Sequence, residues 1–217
     1  MFEIRDILDS ILDTVLPRRE RRTRTEARSF DEIPLCPVLH ELLGVQILTL
    51  MDYRESAAKD LIRSLKYDRS GHAAKLCAAL LTDYLREEFA SMHTFSSRRI
   101  LLVPVPLHKN RVHERGFNQI QAVLNILPIE FHDGTLSYMK EGVLLRTRDT
   151  APQTKLPRAE RLTNVSGAFA ANDSIITRDS HIYLIDDVVT TGATLKEAAR
   201  PFSKTGTPVT LLALARA

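Results

Sequence analysis

Tryptophan is absent from the 217 residues, and Phe and Tyr bring the aromatic share to only 6%. A surface that grips single strands by stacking their bases has little to draw on. Two cysteines, Cys36 and Cys77, stand far apart. They can build neither a disulfide framework nor a four-cysteine zinc site, so the expectation is a zinc-free protein of a reducing cytoplasm. No apolar run approaches the length of a membrane span, and Met1-Phe2-Glu3-Ile4 opens no signal peptide, so no membrane partner is expected. The Gly-x-x-x-x-Gly-Lys-Ser/Thr pattern of a P-loop is missing as well. The charge excess is small: a net +3 permits an anionic ligand or nucleic acid without demanding one.

What remains is an ordinary globular composition, 44% hydrophobic and 26% charged, enough for one core with an appendage or for two small units. Residues 2–16 place Phe2, Ile4, Ile7, Leu8, Ile11, Leu12, Val15 and Leu16 at helical spacing, with acids between them. They predict an amphipathic helix that ends before Pro17 and offers a surface for homodimerisation. Residues 18–28 carry six arginines and two glutamates without an interleaved aromatic, which predicts a solvated, partly disordered connector. Residues 39–50 are apolar and fit either a strand or a helix. Helical spacing returns over 53–67 and again over 73–89, where Cys77 falls in the buried stripe.

From Arg99 the pattern changes. Residues 100–106 read as a strand running into a Pro-restricted turn, and residues 107–119 gather basic side chains just beyond it. In open α/β sheets ligands bind outside the carboxyl ends of the strands, where this loop should lie. A helix over 119–127 stops at Pro128. Residues 151–166 have almost no buried periodicity, and long irregular segments of this kind are often lids. A last buried strand covers 208–216.

The stretch that organises the rest is 181–194. Ile182-Tyr183-Leu184-Ile185 reads as a buried parallel strand that ends in Asp186 and Asp187. Thr190, Thr191, Gly192, Ala193 and Thr194 then lead into a helix. Open N–H groups at a helix start, with threonine hydroxyls beside them, suit a phosphate, and Gly192 lets the backbone approach it. The two carboxylates can accept hydrogen bonds from ribose hydroxyls. Pro201 is awkward inside the helix that follows and predicts a bend or an end near Arg200.

Apolar residues, two acids, two apolar residues and Thr-Thr-Gly-x-Thr together resemble the phosphoribosyl-diphosphate (PRPP) signature of type I phosphoribosyltransferases. Val103-Pro104-Val105-Pro106 with Arg115-Gly116-Phe117-Asn118-Gln119, then Arg146-x-Arg148 with Gln153-Thr154, and Arg161-x-x-Asn164-Val165-x-Gly167 sharpen this likeness. In that order, and with Leu65-Lys66-Tyr67 ahead of them, they resemble the ComF/GntX-like, competence-associated branch over residues 50–217. The cysteine zinc finger that many members carry at their start is not matched. The resemblance implies an α/β Rossmann-like phosphoribosyltransferase core with a mainly parallel sheet over 96–217. Before it would come an N-terminal helix and Arg-rich linker over 1–45 and a helical pre-core region over 46–95.

The same resemblance implies the site. Asp186 and Asp187 would lie at the ribose, with Arg148 and Lys155 as further catalytic candidates. Residues 190–194 would wrap the 5′-phosphate, while Lys109, Arg111 and Arg115 are candidates for the diphosphate loop. Arg146, Gln153 and Arg161 would sit on the lid. Mg²⁺ would arrive through the PRPP diphosphate rather than on side chains, and the acceptor is unidentified. Three alternatives stand beside the transferase: a PRPP sensor, a single-stranded-DNA-binding protein using the basic 18–28 and 107–115 segments, and a non-catalytic scaffold in which Asp-Asp and Thr-Thr-Gly merely preserve folding.

Overall fold

The computed structural model describes residues 18–107, 116–148, 165–172, 174–176 and 179–217. The helix expected over 2–16 lies outside them. Alternation along the strands explains the architecture. In β7 (Ser180–Val189), Tyr183 and Ile185 face one hydrophobic core, while Ile182 and Leu184 face another. The same division holds in β3 (Arg99–Pro104), with Ile100 and Leu102 against Leu101 and Val103, and in β8 (Val209–Arg216), with Leu212 and Leu214 against Leu211 and Ala213. Strands apolar on both faces need cover on both, the requirement of a parallel sheet flanked by helices.

Six strands form that sheet in the order β1-β2-β8-β7-β3-β4, where β1 is Val38–Leu42, β2 is Val45–Asp52 and β4 is Tyr138–Met139. Every neighbouring pair is parallel except β1 with β2, which makes the sheet mainly parallel as expected. The ambiguous apolar run over 39–50 is therefore a hairpin. It turns through Leu43 and Gly44, both at positive φ, a backbone that suits a tight two-residue connection. Residues 38–52 thus extend the sheet built by the core strands.

One face of the sheet is covered by α2 (Ser56–Tyr67), α3 (Gly71–Phe95) and α4 (Gln119–Leu124), through Leu61, Leu65, Leu81, Phe89 and Val123. The other is covered by α5 (Ala193–Ser203) and by the pair β5 (Leu144–Arg146) with β6 (Phe169–Ala171), through Leu195, Phe202, Leu144 and Phe169. Cys77 lies fully inside the first core, as its place in the apolar stripe predicted.

Three sequence expectations need correction. The arginine-rich segment is not a solvated connector: Arg18–Glu26 forms helix α1. Arg21 grips both oxygens of Asp68 at 3.0 and 2.7 Å, Arg24 bonds Asp60 at 3.0 Å, and Arg28 approaches Asp60 at 3.7 Å. Between them Thr25 and Ser64 share a buried hydroxyl contact of 3.0 Å. Asp60 on α2 and Asp68 at its C-cap thus use the positive charge that looked free in the sequence. The helix after the threonine loop includes Pro201 and runs to Ser203, because a proline in the last turn removes only one backbone donor. The helix expected over 119–127 ends instead at Leu124.

Candidate functional site

β7 is the central strand of the site, flanked by β8 and β3. Its end carries the acid pair. Asp186 Oδ1 accepts the Asp187 N–H at 2.9 Å, and Asp187 Oδ1 accepts the Val188 N–H at 2.6 Å. These short local bonds fix each carboxylate through one oxygen and leave the other for a ligand.

A lysine from α2 reaches across to the pair: Lys66 Nζ lies 3.0 Å from Asp187 Oδ1, with both side chains largely buried. Burial opposes the Lys66 charge, but Asp187 outweighs it, and the ammonium is held above its usual pKa. Asp186 behaves oppositely. Burial first, and then the adjacent Asp187 carboxylate, push its carboxyl up to about 7, against the pull of Lys66 and Arg146. The two acids are therefore unequal near neutral pH, one ion-paired and the other holding a proton.

The loop after β7 closes on glycine. Gly192, at φ +83°, is the N-cap of α5, and the Thr191 hydroxyl accepts the Ala193 N–H at 3.4 Å. A Cβ on Gly192 would stand 3.0 Å from Ile47 Cδ1 and Leu42 Cβ, so only glycine fits both the backbone and the space. Thr190 is exposed, Thr191 and Thr194 are half-buried, and Ala193 is buried beneath them.

Beside β7, the Asn118 side chain organises the strand that precedes the basic loop. Its Oδ1 accepts the N–H groups of Ile120 and Gln121 at 3.0 and 3.3 Å, capping α4, while Nδ2 donates to the Val105 carbonyl at 3.0 Å. Val105 N–H in turn bonds Ile185, one residue before the acids. Gly116 needs its positive φ, and the Arg69 guanidinium packs against it and over the Phe117 ring, 5.7 Å from its centroid.

Of the expected lid residues, Arg146 stands over the Phe169 ring at 5.3 Å and lies near enough to Asp186 to pull its pKa down. Arg148 donates instead to the Ser166 carbonyl at 2.6 Å. Lys109, Arg111, Arg115, Gln153, Lys155 and Arg161 lie outside the described residues. The described residues thus bring together Asp186, Asp187, Arg146 and the 190–194 loop. Two participants were missed. In the sequence Lys66 stands out only as part of Leu65-Lys66-Tyr67, although a lone lysine at the end of an apolar helix stripe is a usable signal. Glu197 accepts the Gly167 N–H at 2.7 Å, tying α5 to the turn before β6; nothing in its spacing marked it.

The chain is similar to known proteins. The DNA utilization protein YhgH of Escherichia coli is 32% identical over 162 residues, which span 74% of this chain and 67% of that protein. The chain belongs to the ComF-like competence family. Two other relatives are named competence protein ComFC. That of Bacillus subtilis is 32% identical over 124 residues, 56% of this chain and 47% of its own length; that of Streptococcus pneumoniae is 26% identical over 166 residues, 76% and 66%. No family model matches the chain. In this ComF-like chain no helix among the described residues is long and apolar enough to cross a membrane.

Proposed function

We propose that this ComF-like protein binds PRPP at the end of β7 and transfers its phosphoribosyl group to an acceptor. The observation that carries the reading is the continuity of two oriented carboxylates with a glycine-capped helix start. Asp186 and Asp187 would accept hydrogen bonds from the ribose hydroxyls through their uncommitted oxygens. The N–H groups of residues 192–194 and the threonine hydroxyls would hold the 5′-phosphate. Arg146 and the basic 107–115 segment supply positive charge for the leaving diphosphate, which must be stabilised as the bond to ribose lengthens.

No group of three or more His, Cys, Asp or Glu able to hold a metal ion occurs among the described residues. The acid pair, with one carboxylate ion-paired and one carrying a proton, suits hydroxyls better than direct ion ligation. Mg²⁺ bound to the diphosphate oxygens would neutralise leaving-group charge, and Lys109, Arg111 and Arg115 would share that task. Calorimetry with PRPP, with and without Mg²⁺, tests the site. Binding should disappear in the Asp186→Ala, Asp187→Ala double variant, and intact binding there overturns the assignment. Diphosphate release across a panel of bases and amines then separates a transferase from a PRPP sensor.

The relatives' names, DNA utilization protein and competence protein, favour a second reading in which single-stranded DNA is the partner. The arginines of the 18–28 segment lend it little support, since Arg21, Arg24 and Arg28 are committed to Asp60 and Asp68. A DNA surface would rest on the 107–115 cluster. Steeply salt-dependent single-strand binding that disappears when Lys109, Arg111 and Arg115 are neutralised supports this reading.

A further inference from the structure

We propose that Lys66 is a third member of the acid-pair site, a positioning residue that sets the charge of Asp186 and Asp187 so that a polyanionic sugar phosphate is admitted. The inference rests on the PRPP reading but concerns a residue outside the strand and loop that define it. Two adjacent carboxylates are an unfavourable greeting for a ligand carrying a monophosphate and a diphosphate. Like charges a few ångströms apart in a half-buried site repel by several kcal/mol at an effective dielectric constant of about 20. Some device must remove that repulsion while keeping the oxygens that accept hydroxyl hydrogen bonds.

The Lys66 side chain does so from the end of α2. Its ammonium lies 3.0 Å from Asp187 Oδ1, and the exposed fractions of the two side chains are 18% and 15%. An ion pair this buried contributes little net stability, because desolvation offsets attraction and a well-packed apolar pair does as well. Packing alone therefore gives no reason for a lysine here; the charge of the site does. The groups around the acids come from several elements: Lys66 on α2, the buried Cys77 thiol on α3 and Arg146 on β5 act on the acid pair, while Tyr53, just before α2, and Tyr67, at its end, act on Lys66. Of these, Lys66 and Arg146 carry positive charge. Lys66 neutralises Asp187, and Asp186 keeps its proton below about 7, so the pair presents no net charge in that range. With Asp187 anchored to Lys66 through Oδ1, the opposite oxygen keeps a fixed direction for a hydroxyl.

The test compares wild type with Lys66→Met, Lys66→Arg and the double variant Lys66→Met, Asp187→Asn, using calorimetry with PRPP and with ribose 5-phosphate across about pH 5 to 9. Wild-type affinity should fall as pH rises through about 7, as Asp186 loses its proton. Lys66→Met should bind about tenfold more weakly at pH 6, where the wild-type pair is neutral and the variant keeps the uncompensated Asp187 charge, and should shift that midpoint upward. Lys66→Arg should retain most of the affinity. The double variant, which removes both charges, should recover part of what Lys66→Met loses. An unchanged affinity and midpoint in Lys66→Met, or a double variant no better than Lys66→Met, overturns the proposal. Carbon-13 titration of Asp186 in ligand-free protein reads the same coupling without PRPP. Its midpoint should rise in Lys66→Met, or in Lys66→Gln should the methionine variant not fold, and a fixed midpoint overturns the role assigned to Lys66. Wild type that binds neither sugar phosphate but shows the expected titration overturns the PRPP reading alone.

Discussion

Lys196 Nζ donates to the backbone carbonyl of Leu43 at 2.7 Å, joining the first turn of α5 to the tip of the β1–β2 hairpin across 153 residues. The hairpin is thus the backstop of the threonine loop. Leu42 and Ile47 close the space in which Gly192 turns the chain, and Lys196 pins the helix start against them. Residues far ahead of the core in sequence hold the phosphate-binding candidates in place.

This arrangement makes Gly192 sensitive to any side chain. At φ +83°, with two heavy atoms 3.0 Å from a new Cβ, Gly192→Val meets both backbone strain and a clash. A residue forced into this region costs on the order of 1–3 kcal/mol. The expected outcome is a lower urea midpoint with an unchanged slope, together with loss of PRPP binding. A wild-type midpoint in Gly192→Val contradicts the backstop.

The arginine helix makes a separate prediction. Arg21 and Asp68 form a two-bond pair, with side chains 11% and 3% exposed. Removing one partner of a buried pair leaves the other charge uncompensated, at a cost of about 3 kcal/mol or more. Asp68→Ala should therefore lower the unfolding free energy by roughly that amount. Asp68→Ala with Arg21→Met should be more stable than Asp68→Ala alone. If α1 instead behaved as a free connector, neither change would register in chemical denaturation.

The raised carboxyl of Asp186 links stability to pH. The folded protein keeps this proton up to about 7, whereas the unfolded chain releases it in the ordinary carboxylate range near 4. Between those values the folded state binds more protons than the unfolded state. Its stability from this group is therefore complete below about 4 and lost as pH rises through about 7. Asp186→Asn should flatten the decline in unfolding midpoint between about pH 4 and 7. The same slope in wild type and variant excludes Asp186 as its source.

Much of this was legible because it is written in local pattern. The strand over 182–185, the acids after it, the glycine turn and the helix beyond all follow from residues adjacent in sequence, and the parallel sheet follows from strands apolar on both faces. What was not legible depends on partners far away. Arg21, Arg24 and Arg28 resemble a solvated run until Asp60 and Asp68 are placed beside them. Residues 39–50 fit a strand or a helix until β8 supplies hydrogen bonds to β2. Lys66 acquires a role only when α2 packs on the sheet and brings it to Asp187. In each case tertiary contact, not propensity, makes the choice.

Asn118 tests how far the loop after β3 depends on one side chain. Its Oδ1 caps α4 and its Nδ2 holds the Val105 carbonyl, so one amide joins the helix start to the strand beside the acid pair. Asn118→Ala removes both contacts and should cost about 1–2 kcal/mol, the usual worth of an N-cap. Asn118→Asp separates them. Its carboxylate can still accept the Ile120 and Gln121 N–H groups, but it offers no donor to Val105 and meets that carbonyl with like polarity. If the tether to Val105 positions the loop, Asn118→Asp should keep most of its unfolding midpoint and yet lose PRPP affinity. Faster hydrogen exchange at the Val105 N–H, which bonds Ile185, would accompany that loss. If the cap alone matters, Asn118→Asp will match wild type in both measurements, and only Asn118→Ala will fall.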